Sequence, residues 1–563
     1  MDKNNNNSNK QSFLHGAALL AVAVAVVKVI GALYKIPLKA IIGDAGYSYF
    51  TTAYDIYSVL LMISTAGLPI ATSRLISAAN SLGKYNQVRR IYKTSRMVFL
   101  GLGIFSTLVM LLGCHWLANM MEQPNAWAAI MCLAPCALFM GIMSPSRGFF
   151  QGQGNMRPTS RSQMLEAFIK LIVGLALAYG IMKITSKVHF AAAGAILGVT
   201  VSCAVSAAYL VTKLQKAYRV LPESSETPEG FGVTAKELLK VAVPITIGSA
   251  GLQLLTVVET GLYMDRIVEL LDTNRYQGAV IEFLRGEVLE KMPELTAQQM
   301  STEVAARLKG IYNFAQTIFN MPSAFIIPIG TSVLPAITAY LTLRQDKEVR
   351  ATEESAARIT GLISLPCAVG LVILAEPVMA LLGGYTGLKL TLAGQLMALL
   401  GSCIFAYTII QYTNVVLQSH GYAHVPVINM LLAGVVKLVA VYFLAGNPAI
   451  GILGVPIGTI LCYVSIAALN LISIRRYVPQ KPAILKNILR PLVPVTAMGV
   501  VVYGVLWVLR SVLHITSRVV LCGAPIAIGA VVYLVMVVIT KTITKEDCQL
   551  LPKGDKIAKI LKL

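Results

Sequence analysis

Charged residues are scarce in this sequence. Of its 563 residues only 13% are Asp, Glu, Lys or Arg, and 56% are hydrophobic. A soluble domain carries about 25% charged residues, so the composition excludes a soluble globular protein and predicts an integral membrane protein. At roughly 35 to 40 residues for each helix and its loop, the length allows on the order of fourteen spans.

Motifs of common enzyme classes are also missing. The nine cysteines form no Cys-x-x-Cys or Cys/His metal spacing, and Cys132 and Cys136, one helical turn apart, are interpreted as packing side chains. The glycine-rich stretch 151–154 lacks the Lys-Ser/Thr of a phosphate-binding loop. We therefore expect no catalytic residue, no metal and no cofactor. Transport by this chain would be passive, or driven by the gradient of a coupling cation or by the membrane potential.

Basic residues are in excess, with a formal net charge of +21. In a soluble protein this charge would suggest nucleic acid, but no RNA- or DNA-binding motif is present. Fourteen apolar windows lie between residues 13 and 540, and clusters of Lys and Arg follow nearly every even-numbered one. Because basic loops stay on the cytoplasmic side, both termini are predicted to be cytoplasmic.

The chain repeats itself. Gln151 and Lys170 recur as Gln418 and Lys437 at one offset of 267 residues (418 − 151 and 437 − 170), and further matches follow at offsets of 266 and 260. Repeats in the same order, each with an even number of helices, share one topology. The predicted fold is an all-α polytopic membrane protein with about fourteen transmembrane helices. Two six-helix lobes would be related by a pseudo-two-fold axis along the membrane normal, with an additional C-terminal helix pair.

The predicted organisation starts with a polar cytoplasmic tail and ends with a basic one. Its parts are the tail 1–12, the N-terminal lobe 13–217, a cytoplasmic linker 218–237, the C-terminal lobe 238–475, the additional helix pair 487–540 and the tail 541–563. The C-terminal lobe contains an extracellular acidic loop at 271–307. We expect part of this loop to be helical and to lie on the outer surface, possibly as an amphipathic helix; a free linker is the alternative.

Ionisable residues inside the apolar windows are the candidate site. A charge at mid-bilayer costs about 2.5–3.5 kcal/mol on insertion scales, so it usually faces a cavity or a partner. The residues predicted to line a substrate-binding cavity are Lys28, Asp55, Arg74, Glu166, Lys170, Glu259 and Lys437. Two alternatives stay open: Glu166 and Lys170, four residues apart, could form a structural pair, and Arg74 could extend to the cytoplasmic interface.

A basic, partly aqueous cavity suits an anionic headgroup. A polyprenyl-diphosphate-linked sugar has such a headgroup and a long lipid tail, which the additional helix pair could border. The first eighty residues contain the segments KVIGALYKIPL at 28–38, GDAG at 43–46, AYDIY at 53–57 and STAGLPIATSR at 64–74. In these segments the chain resembles the polysaccharide-biosynthesis membrane proteins of Gram-positive bacteria, of the stage V sporulation protein B type.

That family belongs to the multidrug/oligosaccharidyl-lipid/polysaccharide exporter superfamily, which also contains the MurJ-type lipid II flippases. The resemblance implies two lobes in a V, alternating access and a lipid-linked oligosaccharide as cargo. In MurJ-type proteins the first helix has an arginine three residues before a glycine, and Lys28 before Gly31 matches it. A second family arginine falls on Tyr34, which is a departure from the pattern.

Together these observations favour a flippase of the bacterial cytoplasmic membrane that moves a polyprenyl-diphosphate-linked oligosaccharide, in particular a lipid II-type peptidoglycan precursor. Lys28 and Arg74 would contact phosphate, and Asp55 and Glu259 would adjust the cavity charge or bind a coupling cation. Expected partners are the lipid-linked oligosaccharide, membrane lipid and cell-wall synthases, and no nucleic acid. The alternatives are a cation-coupled multidrug exporter, whose cavity should be acidic, and a non-transporting scaffold of a cell-wall synthesis complex.

Overall fold

The structure is a computed structural model that describes residues 2–65, 68–222 and 224–543. Side chains are described throughout these ranges except at residues 2–25, 28, 32, 63–65, 68, 244, 245, 247–252, 323–332, 334–336, 339 and 342. Every regular element in these ranges is helical, which confirms the predicted all-α class.

Eighteen α-helices are described in the three ranges. They are α1 (Asp2–Thr65), α2 (Leu68–Ser81), α3 (Tyr85–Leu112), α4 (Cys114–Met120), α5 (Trp127–Gly152), α6 (Arg157–Thr185), α7 (Val188–Arg219), α8 (Phe231–Asp272), α9 (Ala279–Lys291), α10 (Ala297–Thr342), α11 (Asp346–Ile373), α12 (Ala375–Gly383), α13 (Gly387–Ser419), α14 (His424–Ala445), α15 (Gly454–Tyr477), α16 (Ile484–Ile488), α17 (Leu492–Trp507) and α18 (Arg518–Ile539).

Ten helical segments of the described residues are long and apolar enough to cross a membrane. They coincide with ten of the fourteen apolar windows, so the protein is a multi-pass membrane protein. The other four windows fall in α1, α2, α8 and α10, which include residues outside the described set. The count of fourteen spans and the pseudo-two-fold relation of the lobes stay predictions.

Helix α1 covers the first apolar window and most of the second. It contains one non-helical residue, Gly43, with φ 67° and ψ −171°. A positive φ is readily adopted only by glycine, so Gly43 separates two helical segments without a loop. The first two apolar windows of the sequence end at residue 34 and begin at residue 48, and the residues between them are helical except Gly43.

The chain divides into two compact units, which are described separately. Unit 1 comprises Met1–Val268 and Ser301–Gly310. Within it α6 packs along α7, and α5 packs against α3 and α7. Gly198 on α7 faces the backbone of Gly174 on α6 so closely that a β-carbon would overlap it. Glycines four residues apart let two helix backbones approach closely, and Gly194 and Gly198 of α7 form such a pair.

Unit 2 comprises Glu269–Met300 and Ile311–Leu563. Its largest apolar cluster joins α11, α13 and α15, with Val349, Ile409 and Ile466 among its buried members. On the α14 side, Gly458 of α15 approaches Val441. Gly454 of α15 lies close to the α14 backbone at Ala445, so Gly454 and Gly458 form a second glycine pair at a helix contact. The lobe boundaries given in the sequence analysis stay predictions.

The acidic loop 271–307 is mostly helical. It contains α9 and the start of α10. Ile281, Leu284 and Val288, spaced three and four residues apart, form the buried face of α9. Helix α9 packs against α13, and Glu287 forms an ion pair with Lys389 there. The loop is therefore partly helical, as expected, and α9 is packed against α13 in place of a free linker. Its position on the outer surface stays a prediction.

Candidate functional site

A short segment of α10, Ser301–Gly310, packs inside unit 1 against the second half of α1. The approach is closest where Gly310 meets the backbone carbonyl of Asp44, because a β-carbon at residue 310 would overlap that carbonyl. Glycine is therefore required at this crossing. The close approach positions the side chains before residue 310 against residues 49–55 of α1.

Lys309 is the central side chain of this contact. It is fully buried, and its Nζ donates a hydrogen bond of 2.5 Å to Thr52 Oγ1. The same ammonium lies 3.8 Å from Asp55 Oδ2. A buried ammonium is very unfavourable without a partner, so Lys309 depends on Asp55. The sequence analysis proposed Asp55 and missed Lys309.

A second polar cluster lies on the preceding turns of the same segment. Tyr49 Oη donates a hydrogen bond of 2.5 Å to Glu303 Oε2, and Asn125 Nδ2 donates one of 3.3 Å to Tyr49 Oη. Arg307 Nε lies 3.8 Å from Glu303 Oε1, with both side chains at least nine-tenths buried. Ser301–Gly310 is thus held in unit 1 by two separate polar clusters.

Asp55 also interacts electrostatically with Lys35 and Glu259. Lys35 in turn interacts with Lys170 as well as with Asp55. The candidate site consequently contains three lysines (Lys35, Lys170 and Lys309) and two carboxylates (Asp55 and Glu259), a net charge of +1. Lys35 follows Lys28 by seven residues, or two helical turns, and therefore lies on the same face of α1.

Lys35 and Lys170 differ from Lys309 in their surroundings. Both are half-buried. The Lys170 ammonium lies 5.9 Å from the centre of the Tyr34 ring, a cation–π contact. Among the described residues neither ammonium forms a hydrogen bond or an ion pair with a carboxylate. Two neighbouring cations, neither of which forms an ion pair with a carboxylate of the described residues, form an environment suited to an anion.

Glu166 has a partner that the sequence analysis did not name. Its Oε2 accepts a hydrogen bond of 3.1 Å from Arg147 Nη2. Arg147 Nε also donates to Ser162 Oγ at 3.3 Å. The Glu166 carboxylate thus joins α6 to α5 through Arg147, in place of the pair with Lys170.

Three proposed residues, Arg74, Lys437 and Lys28, have no described contact with this cluster. Arg74 lies on α2 with an exposed side chain, and Lys437 is half-buried on α14 in unit 2. Lys28 lies on α1, but its side chain is outside the described part of the structure. Within unit 1 the structure therefore brings together Asp55, Glu259 and Lys170. The role of every one of the seven residues stays a prediction.

In residues 2–65, 68–222 and 224–543 no group of three or more His, Cys, Asp or Glu is placed to hold a metal ion. A coupling cation stays a prediction.

Three proteins of Bacillus subtilis (strain 168) are similar to this chain over most of their length. "Uncharacterized membrane protein YabM" is 26% identical, covering 97% of this chain and 96% of that protein. "Stage V sporulation protein B" is 22% identical, covering 96% and 98%. "Lipid II flippase MurJ" is 23% identical, covering 88% and 89%.

Two solved structures share the fold. "Lipid II flippase MurJ, inward closed conformation" gives a TM-score of 0.64 at 14% identity, covering 93% of this chain and 98% of that one. An inward-facing multidrug resistance MATE family transporter of the MOP superfamily gives a TM-score of 0.59 at 15% identity, covering 81% and 99%. At these identities the likeness shows the MurJ/MATE-like fold alone.

Two family models match the sequence directly. The model "Lipid II flippase MurJ" matches residues 293–521. The model "Polysaccharide biosynthesis protein" matches residues 13–341, which is more than half of the chain. The resemblance seen in the first eighty residues is confirmed, and the protein belongs to the polysaccharide biosynthesis protein family.

Proposed function

We propose that this protein is a flippase that moves a polyprenyl-diphosphate-linked oligosaccharide from the inner to the outer leaflet of the bacterial cytoplasmic membrane by alternating access. Both termini are proposed to be cytoplasmic. Family membership supports a role in polysaccharide biosynthesis. The chain would act as a transporter and not as an enzyme.

The observation that carries the substrate class is the pair Lys35 and Lys170. Their charges repel each other, and no carboxylate of the described residues pairs with either of them. A diphosphate between them would replace this repulsion with charge-assisted hydrogen bonds, which are about twice as strong as neutral ones. The net charge of +1 on the surrounding cluster also favours an anion.

The lipid tail requires an apolar surface of its own. Unit 2 contains a cavity of about 570 Å³ bordered by α10, α11, α12, α17 and α18. Residues lining it include Pro366, Gly370, Met498, Pro525, Gly529 and Tyr533. We propose that it accepts part of the polyprenyl tail, in agreement with the expected role of the C-terminal helix pair.

The finer substrate assignment is a lipid II-type peptidoglycan precursor. It is supported by the similarity to the relative named lipid II flippase MurJ and by the second family model. Membrane lipid and cell-wall synthases are the proposed partners.

A second candidate function is cation-coupled drug export. The fold likeness to a multidrug resistance MATE transporter and the neighbouring carboxylates of Asp55 and Glu259 favour it. An organic cation would have to bind beside three lysines, and this repulsion makes the flippase the better-supported proposal. A purely scaffolding role would leave the charges of the site dispensable.

The test is complementation of a strain depleted of its lipid II flippase. We expect the wild-type protein to restore growth and the double variant Lys35→Gln/Lys170→Gln to fail at matched membrane expression. Lys183→Gln is the matched control, because Lys183 is exposed and lies on α6 with Lys170. It should restore growth fully.

Each other outcome has a definite meaning. Rescue by the double variant would exclude a phosphate site at these lysines and would support scaffolding. Failure of the wild type despite correct insertion would contradict lipid II as substrate. Binding of undecaprenyl diphosphate to purified protein then decides the broader class: at least tenfold weaker binding by the double variant supports it, and equal binding contradicts it.

A further inference from the structure

We propose that unit 2 carries a separate site for the phosphate headgroup of an anionic phospholipid of the cytoplasmic leaflet. The site lies where the start of α11 meets α16 and the residues before α17. It is independent of the transport site, because it uses other residues and requires no translocated substrate.

The site is a polar cavity of about 580 Å³. Helix α11 supplies two of its side chains, one turn apart, and the segment around α16 supplies the others. Its lining residues are Arg350, Glu354, Ala483, Lys486, Asn487 and Arg490.

Among the residues that line this cavity only Glu354 carries a carboxylate, and this carboxylate already accepts two hydrogen bonds. Glu354 Oε1 accepts a hydrogen bond of 2.9 Å from Arg350 Nε and one of 3.2 Å from the Ala483 backbone N–H. Arg350 compensates the charge of Glu354, and the Ala483 N–H helps to fix the carboxylate, so Glu354 holds the Arg350 guanidinium at the cavity. Arg350 keeps its two terminal nitrogens for a further acceptor.

The floor of the cavity is fixed by a buried arginine. Arg358 Nη1 donates a hydrogen bond of 3.0 Å to Asn487 Oδ1, and Asn487 Nδ2 donates one of 2.8 Å to the Ala483 carbonyl. These bonds tie the short helix α16 to α11. The positions of the neighbouring basic side chains are therefore set by buried contacts.

Three cations face one carboxylate in the cavity, which leaves a net charge of +2. Lys486 is exposed, and its ammonium has no hydrogen bond or ion pair among the described residues. Arg490 makes one bond, of 3.3 Å, from Nη2 to the Lys541 carbonyl. Guanidinium forks match the geometry of phosphate oxygens and an ammonium adds a compact charge, so the set fits a phosphate monoanion.

The surroundings point to a lipid as the source of this phosphate. Exposed apolar side chains flank the basic residues in the chain. They are Leu485, which precedes Lys486 and is 43% exposed, and Leu492 and Val493, which follow Arg490 and are 47% and 59% exposed. The cavity also lies at the ends of two candidate spans, Asp346–Ile373 and Ile484–Val512. The distribution of Lys and Arg assigns these ends to the cytoplasmic side, where basic pockets between helices bind anionic headgroups. Acyl chains would cover the exposed apolar side chains.

The test measures lipid binding to the purified full-length protein in detergent. The probes are short-chain phosphatidylglycerol, short-chain phosphatidylcholine and inorganic phosphate. We expect the wild type to prefer phosphatidylglycerol, and Lys486→Gln/Arg490→Gln to bind it at least tenfold more weakly. Lys347→Gln/Lys481→Gln removes the same charge from exposed residues outside the cavity and should change the affinity less than twofold.

Four results would overturn the proposal. Equal losses in the two double variants would mean general surface attraction, and no loss in the cavity variant would mean that the cavity is not a site. Competition by inorganic phosphate at concentrations as low as those of the lipid would identify a soluble phosphate as the ligand. The charge-conserving variant Lys486→Arg/Arg490→Lys should keep the preference, and its loss would count against recognition of charge. None of these readouts depends on flippase activity.

Discussion

The buried pair Lys309–Asp55 gives the sharpest prediction about stability. Its ammonium and carboxylate are 3.8 Å apart, so at an effective dielectric constant of about 20 their attraction is about 4 kcal/mol. Removing one partner of a buried pair costs about 3–5 kcal/mol, because the other charge is left uncompensated. The Asp55 side chain is 25% exposed and also interacts with Lys35, so we expect Lys309→Met to cost about 3 kcal/mol, the lower end.

The assay is a double-mutant cycle on the free energy of unfolding in detergent. The variants are Lys309→Met, Asp55→Asn and the two combined, with exposed Lys216→Met as the control. We expect the double variant to lose at least about 2 kcal/mol less than the sum of the single losses, since it leaves no unpaired charge. Losses that add to within about 0.5 kcal/mol would refute the coupling of the two charges.

Further predictions concern the same segment of α10 and, for comparison, α9. Gly310→Ala would push a methyl group into the Asp44 carbonyl and should lower the free energy of unfolding by about 1–3 kcal/mol. Gly286→Ala meets open space on α9 and should raise the free energy of unfolding by about 0.5–1 kcal/mol. Thermal unfolding of both variants measures these changes, and equal effects would contradict the close approach at Gly310. Tyr49→Phe removes a hydrogen bond to the buried Glu303 carboxylate and should cost about 1.5–3 kcal/mol. Wild-type stability of this variant would show that another donor satisfies the carboxylate.

Sequence patterns predicted the helical class and three members of the charge cluster, Asp55, Lys170 and Glu259, because both depend on local composition. Asp55 and Glu259 stand out as acids within apolar windows. Lys309 does not, since it lies at the start of its window, next to the acidic loop. Its partner Thr52 is 257 residues away in the sequence, and no periodicity within one helix reports a contact of that range. Lys35 was missed because the first apolar window was taken to end at residue 34, and only charges inside a window were considered.

The partner of Glu166 shows a different limit. Residues four apart lie on the same face of a helix, so the spacing alone makes Lys170 a candidate partner of Glu166. The structure contains a stronger competitor, because Arg147 comes from the preceding helix with a guanidinium that reaches Glu166 and Ser162 together. Lys170 instead lies over the Tyr34 ring. Which cation pairs with Glu166 depends on packing between helices, which a single-helix pattern does not contain.

The single-residue break at Gly43 has a practical consequence for mapping the topology of this protein. A reporter or epitope is normally inserted into a loop between two spans, and the interval between the first two windows looks like such a loop in the sequence. In the structure the insertion would interrupt helix on both sides of Gly43. The segment 292–296 between α9 and α10 is non-helical, with Pro293 and Glu294 exposed. A tag placed there reports sidedness without breaking a helix.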